Sequence, residues 1–292
     1  MTKSDQTVLI AIDLEDKTLP RLERSYANLS HVADKVILLY VFEKEKFADA
    51  DDESKNLLIK EKNKQLAAFS ANIHNKTGLE VNAVLQTGHP AEEILKAATS
   101  YGVDLIAMST HTHTEDDYTQ KNSLGATVNK VVRQSAVPVF TFNSNVQLKK
   151  IKKILLPLDL TAETRQKVTN AIQIANRFGA SIHIVSIYSS SFIEIQERLN
   201  EQMQLSKEFI EKENIPVTTK LIKSEKGPKS VAFTVLEYAE EIHADLIMVM
   251  TQQETRIEEF FMGSAVQTVL RFAKVPVMSI IPKELSTVIL GA

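Results

Sequence analysis

The sequence predicts an α/β protein made of two doubly wound parallel sheets in tandem, each with five strands. Apolar segments of strand length alternate with amphipathic segments of helix length, which is typical of a parallel sheet covered on both faces. An apolar strand and a polar loop occupy 104–112. They are followed by a glycine at the start of a helix, and then by a Val-Pro-Val sequence at the start of the next strand. The same succession recurs at 245–253, Gly263 and 275–277. A repeat of this length indicates a duplicated domain rather than a solenoid unit.

The first half contains five predicted strands with helices between them. The segments at 7–13 and 35–42 are continuously apolar, as central strands of a parallel sheet are, whereas 80–85 alternates and is predicted to be more exposed. Pro90 suits the first turn of a helix, which would continue through Ile94, Leu95 and Ala98. The remaining predicted segments of this half are helices at 19–33, 50–76 and 124–135 and strands at 104–109 and 137–142.

The second half repeats this order after a polar linker at 143–150. Thr161 is a candidate N-cap residue, because Thr161-Ala-Glu-Thr164 has the spacing of a helix start. The other predicted segments are strands at 151–159, 181–187, 216–222, 245–250 and 275–281, helices at 194–213 and 263–272, and a helix carrying Val235, Leu236 and Ala239. The expected domains are therefore 1–145 and 150–283, followed by a tail at 284–292.

The composition limits what the protein can bind and where it can work. A formal net charge of −3 over 292 residues gives no basic surplus, so nucleic acid is not an expected partner. The chain has no cysteine, which excludes disulfides, thiol nucleophiles and thiolate metal sites. No apolar run reaches the length of a bilayer span, and the first residues lack the apolar core of a signal peptide. We therefore expect a cytoplasmic protein that does not contact a membrane.

Two aspartates and two glycines occupy the places where a doubly wound domain carries its ligand chemistry. Asp13 and Asp159 each end a buried first strand, and Gly125 and Gly263 each open the helix after the fourth strand. Glycine lets a ligand approach the backbone, and a helix N-terminus attracts a phosphate. A structural interpretation is equally available, because aspartate often closes a turn and glycine often joins a loop to a helix. The sequence leaves both interpretations open.

Several motifs, most of them present in both halves in the same order, make the chain similar to a known family. They are the early aspartate after a buried strand, the segment Gly88-His-Pro-Ala-Glu-Glu-Ile-Leu95, the Asp-Leu-Ile strand, a Leu-Gly or Met-Gly pair and a closing Val-Pro-Val. Each half resembles a universal stress protein domain, and the chain resembles a tandem universal stress protein over nearly its full length. The resemblance implies the strand order 3-2-1-4-5 of the adenine nucleotide alpha-hydrolase-like fold. It also implies that the last strands, at 138–142 and 276–281, pair within one chain into a pseudo-dimer, while further association of two chains stays open.

Nucleotide-binding members of this family carry the motif Gly-x2-Gly-x9-Gly-Ser/Thr after the fourth strand. The resemblance implies which positions of this chain would contact an adenine nucleotide such as ATP or AMP. These positions are Asp13, Val41, Ser109, His111, Thr112, Gly125, Asp159, Ile187, Gly263 and Ser264.

The first half departs from that motif. Ser109 and Thr112 stand at the two glycine positions, the spacer is three residues longer, and Gly125 is followed by an alanine instead of a hydroxyl residue. The loop at 114–121 is acidic and would lie near the phosphates of a nucleotide, which it would repel.

The second half departs in a different way. It keeps the spacer and Gly263-Ser264, but Met250 and Gln253 replace the two glycines, with Glu254 beside them. We expect these larger side chains to fill the space that a ribose-phosphate needs. Both departures predict nucleotide pockets that are degenerate.

The leading hypothesis is a non-enzymatic binding or regulatory module of the stress response, acting as an intrachain pseudo-dimer with unspecified protein partners. The first alternative is a member that binds ATP or AMP, or slowly hydrolyses ATP, in one half. The second is a metal or small-ligand sensor using His111 and His113 in the loop at 110–122, where Glu115 and its neighbouring aspartates could also bind a divalent metal. A solvated polar loop is the simpler interpretation of those histidines. No catalytic group and no metal site is predicted.

Overall fold

The predicted alternation of strands and helices is present in the first half of the chain. The structure, a computed structural model, describes residues 6–14, 33–43, 51–110, 124–143, 149–161, 164–189, 192–225, 227–251 and 263–281. The elements described in the first half are β1 (Thr7–Ile12), β2 (Lys35–Phe42), α1 (Asp52–Thr77), β3 (Glu80–Thr87), α2 (Pro90–Ser100), β4 (Leu105–Thr110), α3 (Ala126–Gln134) and β5 (Val139–Asn143).

The second half repeats the same series of elements. Those described are β6 (Lys153–Pro157), α4 (Thr164–Phe178), β7 (Ser181–Tyr188), α5 (Ile193–Glu211), β8 (Val217–Lys223), α6 (Pro228–Glu241), β9 (Leu246–Met250), α7 (Gly263–Phe272) and β10 (Val277–Ile280). The predicted helix at 19–33 lies almost wholly outside the described residues. So do the loop at 110–122 after its first residue, most of the linker at 143–150, and the tail at 284–292.

The strands of each half follow the order that the family resemblance implied. The first half runs β3-β2-β1-β4-β5, and the second runs β8-β7-β6-β9-β10, so both have the order 3-2-1-4-5. All pairs within a half are parallel. Seven of the eight residues of β2 are buried, whereas β3 at the outer edge is largely exposed, as the continuous and alternating apolar patterns predicted. The predicted fold class is confirmed.

The two five-stranded sheets join into one sheet of ten strands. β5 and β10 pair antiparallel, with Thr141 opposite Val277 and Val139 opposite Ser279. The Thr141 hydroxyl donates to the Val277 carbonyl at 3.2 Å, and the Ser279 hydroxyl donates to the Val139 carbonyl at 3.3 Å. These are the segments whose pairing the resemblance implied. Each half therefore covers what would otherwise be an open edge of the other.

Two apolar clusters cover the two faces of this sheet. One packs α1, α4 and α5 against alternate strand residues such as Val8 and Ile10, and the other packs α2, α3, α6 and α7 against the residues between them, such as Leu9. This division follows from the strand geometry, because successive side chains point to opposite faces. None of the helices in the described part of the chain is long and apolar enough to cross a bilayer.

Candidate functional site

A cavity of about 290 Å³ lies in the first half where the strand order reverses between β1 and β4. In open parallel sheets, ligands bind at the carboxyl ends of the strands at such a reversal. The residues that line this first-half cavity are Ala11, Ile12, Asp13, Leu39, Tyr40, Val41, Glu43, Pro90, Ile94, Met108, Ser109, Gly125, Ala126, Thr127 and Val128.

Strand register brings the polar groups of the cavity to one edge of the sheet. Ile12, the last residue of β1, lies opposite Tyr40 of β2, so Asp13 and Glu43 both leave the sheet at its carboxyl end. Ser109 is contributed by β4, which pairs with the other side of β1. The polar side of the cavity is therefore assembled from three neighbouring strands.

Apolar side chains form the opposite wall. Val41, Ile94, Met108 and Val128 line the cavity and belong to the core cluster between the sheet and helices α2 and α3. An ion pair also links these two helices, since Lys130 Nζ lies 2.8 Å from Glu92 Oε1. The bond from Lys130 holds the pKa of the Glu92 carboxyl below its ordinary value. An apolar wall with a few converging polar groups is the usual design of a small-molecule site.

The N-terminus of α3 forms the mouth of the cavity. Gly125 is the residue before the helix, and its carbonyl accepts a 2.9 Å bond from the Asn129 N–H. The first N–H groups of a helix have no partner within it, and they carry the positive end of its dipole. A Cβ added to Gly125 would have no neighbour within 4 Å among the residues that the structure describes.

Four of the residues predicted as ligand contacts come together here. Asp13, Val41, Ser109 and Gly125 all line the first-half cavity. His111 and Thr112 lie outside the described residues. Sequence reasoning missed Glu43, Pro90, Ile94, Met108 and Thr127, although the position of Glu43 directly after a buried strand was a usable signal.

Asp159, the counterpart of Asp13, is engaged by side chains of its own half. Lys167 Nζ donates to Asp159 Oδ1 at 3.0 Å, and the Thr161 hydroxyl donates to the same oxygen. The Lys167 side chain is only 3% exposed, against 32% for Asp159. A buried ammonium group needs such a partner, because leaving its charge unpaired away from water is costly. The ion pair therefore holds the Asp159 carboxylate close to helix α4.

The structure describes some of the other residues of the second half that were predicted to contact or to fill the ligand site. Ile187 is partly buried and packs against the core cluster that also holds α6 and α7. Gly263 and Ser264 are the first two residues of α7, as the sequence predicted. Met250 is fully buried and packs with Met248 and the other apolar residues of the cluster on the α4 face. Met250 stands at the position that Ser109 has in the first half, and the expectation that its side chain fills ligand space stays a prediction. Gln253 lies outside the described residues.

The Asp-Leu-Ile motif of each half has a structural role. Asp104 Oδ2 accepts from the Thr7 N–H at 2.9 Å, and Asp245 Oδ2 accepts from the N–H groups of Lys152 and Lys153 at 2.9 and 3.0 Å. These carboxylates tie the fourth strand to the start of the first strand in each half. They lie at the amino ends of the strands, opposite the edge that holds Asp13.

A second, larger cleft of about 480 Å³ lies at those amino ends in the second half. It is bordered by Glu240, His243, Asp245 and Lys274, and contains none of the predicted site residues. Lys274 pairs with Glu240 at 2.9 Å, and Asp245 is occupied by backbone N–H groups. Among the described residues, no three histidine, aspartate or glutamate side chains cluster as metal ligands would. The loop holding His111 and His113 is outside that range.

Comparisons with known proteins agree across both halves. The model of the Universal stress protein family matches residues 6–142 and again residues 150–280. A universal stress protein of Methanocaldococcus jannaschii is 27% identical over 141 residues, covering 44% of this chain and 80% of that protein.

Solved structures reproduce the whole two-part fold. A universal stress protein from Archaeoglobus fulgidus DSM 4304 matches with a TM-score of 0.75 at 19% identity, covering 95% of this chain and 97% of that one. A protein of unknown function from Pseudomonas aeruginosa PAO1 matches with a TM-score of 0.62 at 16% identity, covering 96% and 93%. At these identities the likeness concerns the fold.

Proposed function

The chain belongs to the universal stress protein family, with two family domains in tandem, and from this premise we propose that it is a non-catalytic binding module of the stress response. Its first half would take up a small ligand, and its second half would serve as the structural partner. The domains would be residues 1–145 and 150–283, followed by the tail at 284–292. We also propose that the protein works in the cytoplasm.

The observation that carries this proposal is the first-half cavity. Asp13, Val41, Ser109 and Gly125 come from four separate segments of the chain, yet all of them line one space at the strand-order reversal. The family resemblance singled out these positions as nucleotide contacts, so an adenine nucleotide or nucleoside is the proposed class of ligand. At about 290 Å³ the cavity lies just below the usual range for small-molecule sites, roughly 300–1,000 Å³, which favours a compact ligand over a triphosphate.

The contacts of Asp159 argue against a ligand site in the second half. In the second half, Lys167 already neutralises Asp159 from within the protein. A ligand that used Asp159 would have to displace a side chain that is almost completely buried. We therefore propose that ligand binding is confined to the first half, and that each chain has one ligand site.

The alternative is a nucleotide-dependent member in which the first half binds ATP or AMP through the loop after β4, with slow hydrolysis of ATP. The same cavity would hold the base. The two proposals differ in whether the protein recognises the phosphate groups and hydrolyses the nucleotide.

Calorimetric titration of nucleotide-free protein with adenosine, AMP and ATP tests the proposal. Gly125→Val is the informative variant, because Gly125 lines the cavity and a Cβ there meets no atom of the described residues within 4 Å, so the new side chain would obstruct the cavity without a clash against them. The matched change in the second half is Gly263→Val. We expect binding at one site per chain, lost in Gly125→Val and retained in Gly263→Val. Binding that survives Gly125→Val, or that is lost only in Gly263→Val, would refute the assignment to the first half.

A further inference from the structure

The second cleft, which lies at the amino ends of the strands in the second half, has a volume of about 480 Å³. That volume is within the usual range for small-molecule sites, roughly 300–1,000 Å³. The apolar part of the lining of this amino-end cleft consists of Leu236, Ala239, Ala244, Ile247, Val275 and Pro276. Most of these residues also belong to the apolar cluster beneath α6 and α7, so the cleft opens onto well-packed core.

The acidic groups of the amino-end cleft already have partners within the protein. The Glu240 carboxylate lies 2.9 Å from Lys274 Nζ. Asp245 Oδ2 accepts from the backbone N–H groups of Lys152 and Lys153 at 2.9 and 3.0 Å. Both carboxylates are therefore stabilised without a ligand.

Two basic side chains of the amino-end cleft have no such partner. Lys149 and His243 both line it and are exposed. Neither side chain forms a hydrogen bond or an ion pair with the part of the chain that the structure describes. An ammonium group donates three hydrogen bonds and accepts none, and an imidazole ring always carries at least one N–H donor. The hydrogen-bonding capacity left over is thus mainly that of donors, which suits an anionic or acceptor-bearing ligand.

The backbone at His243 distinguishes this cleft from the equivalent place in the first half. The helix before it ends in the same turn in both halves: the Gly102 N–H donates to the Thr99 carbonyl at 3.2 Å, and the His243 N–H donates to the Glu240 carbonyl at 3.0 Å. Gly102 has φ +58° and His243 has φ +52°. Positive φ is uncommon for residues other than glycine, which adopts it without steric cost. The second half therefore holds an imidazole at the cleft in a conformation that favours glycine.

The other charges of the amino-end cleft also lack charged counterparts in the first half. Pro138 and Pro276 each accept a 3.0 Å bond from the fourth strand of their half, which makes Ala136 the counterpart of Lys274. The shared helix-end turn makes Thr99 the counterpart of Glu240. Histidine, glutamate and lysine thus stand where the first half has glycine, threonine and alanine. The polar character of this cleft belongs to the second half and does not follow from the fold that both halves share.

We infer that the amino-end cleft is a binding site for a compact apolar carboxylate. Lys149 and His243 supply donors for the carboxylate group, and the apolar part of the ligand packs against Leu236 and Ile247. This site lies in the other half from the first-half cavity and at the opposite ends of the strands, so the inference does not depend on the proposed nucleotide-type ligand.

The test is a calorimetric titration of the full chain with 2-naphthoate and, separately, with 2-naphthamide. The amide has nearly the same size and shape as the carboxylate but carries no charge. We expect one naphthoate site per chain, with a Kd lower than that of the amide by about five-fold or more.

Variants locate the bound naphthoate. Lys149→Met removes the ammonium group, and Lys150→Met is its matched control, because Lys150 is exposed but does not line the cleft. His243→Gly removes the imidazole and introduces the residue that the first half has at this turn, so it should not impair folding. We expect Lys149→Met and His243→Gly each to raise the Kd for naphthoate by about three-fold or more, and Lys150→Met to leave it unchanged.

The outcomes separate this inference from the proposed function. Equal Kd values for naphthoate and naphthamide would overturn the choice of a carboxylate. Binding that is unchanged in Lys149→Met and His243→Gly, or that is lost in Gly125→Val, would overturn the location in the amino-end cleft. The absence of saturable binding at millimolar naphthoate would overturn the inference and leave the proposed first-half site unaffected.

Discussion

At the scale of single residues, Asp159 shows that a predicted ligand contact can be held by side chains of its own domain. Asp13 borders the first-half cavity, whereas Asp159 accepts from Lys167 and Thr161. Lys167 also lies next to a wider polar network, in which Gln202 Nε2 donates to Thr164 Oγ1 at 2.8 Å near the start of α4. Asp159, which the resemblance implied as a ligand contact, therefore contributes to the stability of its own domain.

Replacing Asp159 with alanine should destabilise the second half. The change leaves the Lys167 ammonium group without its partner at 3% exposure, and breaking a buried ion pair from one side costs about 3–5 kcal/mol. Since Asp159 is 32% exposed and solvent screens part of the interaction, we expect about 2 kcal/mol in a denaturant titration.

The double variant Asp159→Leu with Lys167→Met is the control for that measurement. It removes both charges and keeps the volume, so it should recover most of the lost stability. A single Asp159→Ala change with no effect on the unfolding midpoint would show that Lys167 is satisfied without this carboxylate.

At the scale of elements, a glycine determines the direction in which the chain enters helix α2, and another does so for helix α6. Gly88 has φ +151° and precedes Pro90, while Gly227 has φ +110° and directly precedes Pro228. Glycine adopts such angles without steric cost, and proline suits the first turn of a helix. In the first half this turn brings Pro90 and Ile94 to the cavity.

We expect Gly88→Ala to lower the free energy of unfolding by about 1–3 kcal/mol. Alanine is strained at this φ, and its Cβ would lie 3.0 Å from Glu93 Cγ. Gly125→Ala is the matched control, because φ is −51° there and the added methyl meets no atom of the described residues within 4 Å. Thermal or chemical denaturation would compare the two, and equal midpoints would contradict the assigned role of Gly88.

At the scale of the whole molecule, the antiparallel joint between β5 and β10 makes one sheet of two domains. Phe140, Thr141, Met278 and Ser279 are each no more than 2% exposed at this joint. Arg177 adds a link between the halves, since its Nη2 atom lies 3.4 Å from Asp34 Oδ2. The halves should therefore remain associated even without a covalent connection.

A protease site inserted between Asn143 and Lys149 tests this expectation. After cleavage, the two fragments should co-elute in size-exclusion chromatography. Thr141→Arg should separate them, because a long cation cannot be accommodated at a buried position of the joint. Thr141→Ser retains the hydroxyl bond to Val277 and should leave the fragments together. Separate elution of the unmodified fragments would contradict the expectation.

The sequence by itself determined the strands, the helices and the duplication. Continuous apolar runs predicted β1 and β2, alternation predicted the exposed β3, and the repeated motifs identified the family that the comparisons confirm. These features are readable because burial on one or both faces leaves a local periodicity in the chain. The family resemblance, and not the periodicity, implied four of the residues that line the first-half cavity.

Only the tertiary structure decided how side chains from distant segments meet. It directed Met250 into the core, placed Glu43 in the lining of the cavity that Asp13 also lines, paired Lys167 with Asp159 and fixed the register of β5 against β10. Local periodicity gives the face on which a residue lies, but not which partner from another element will reach it. That choice depends on strand register and helix packing, which are set by contacts far apart in sequence.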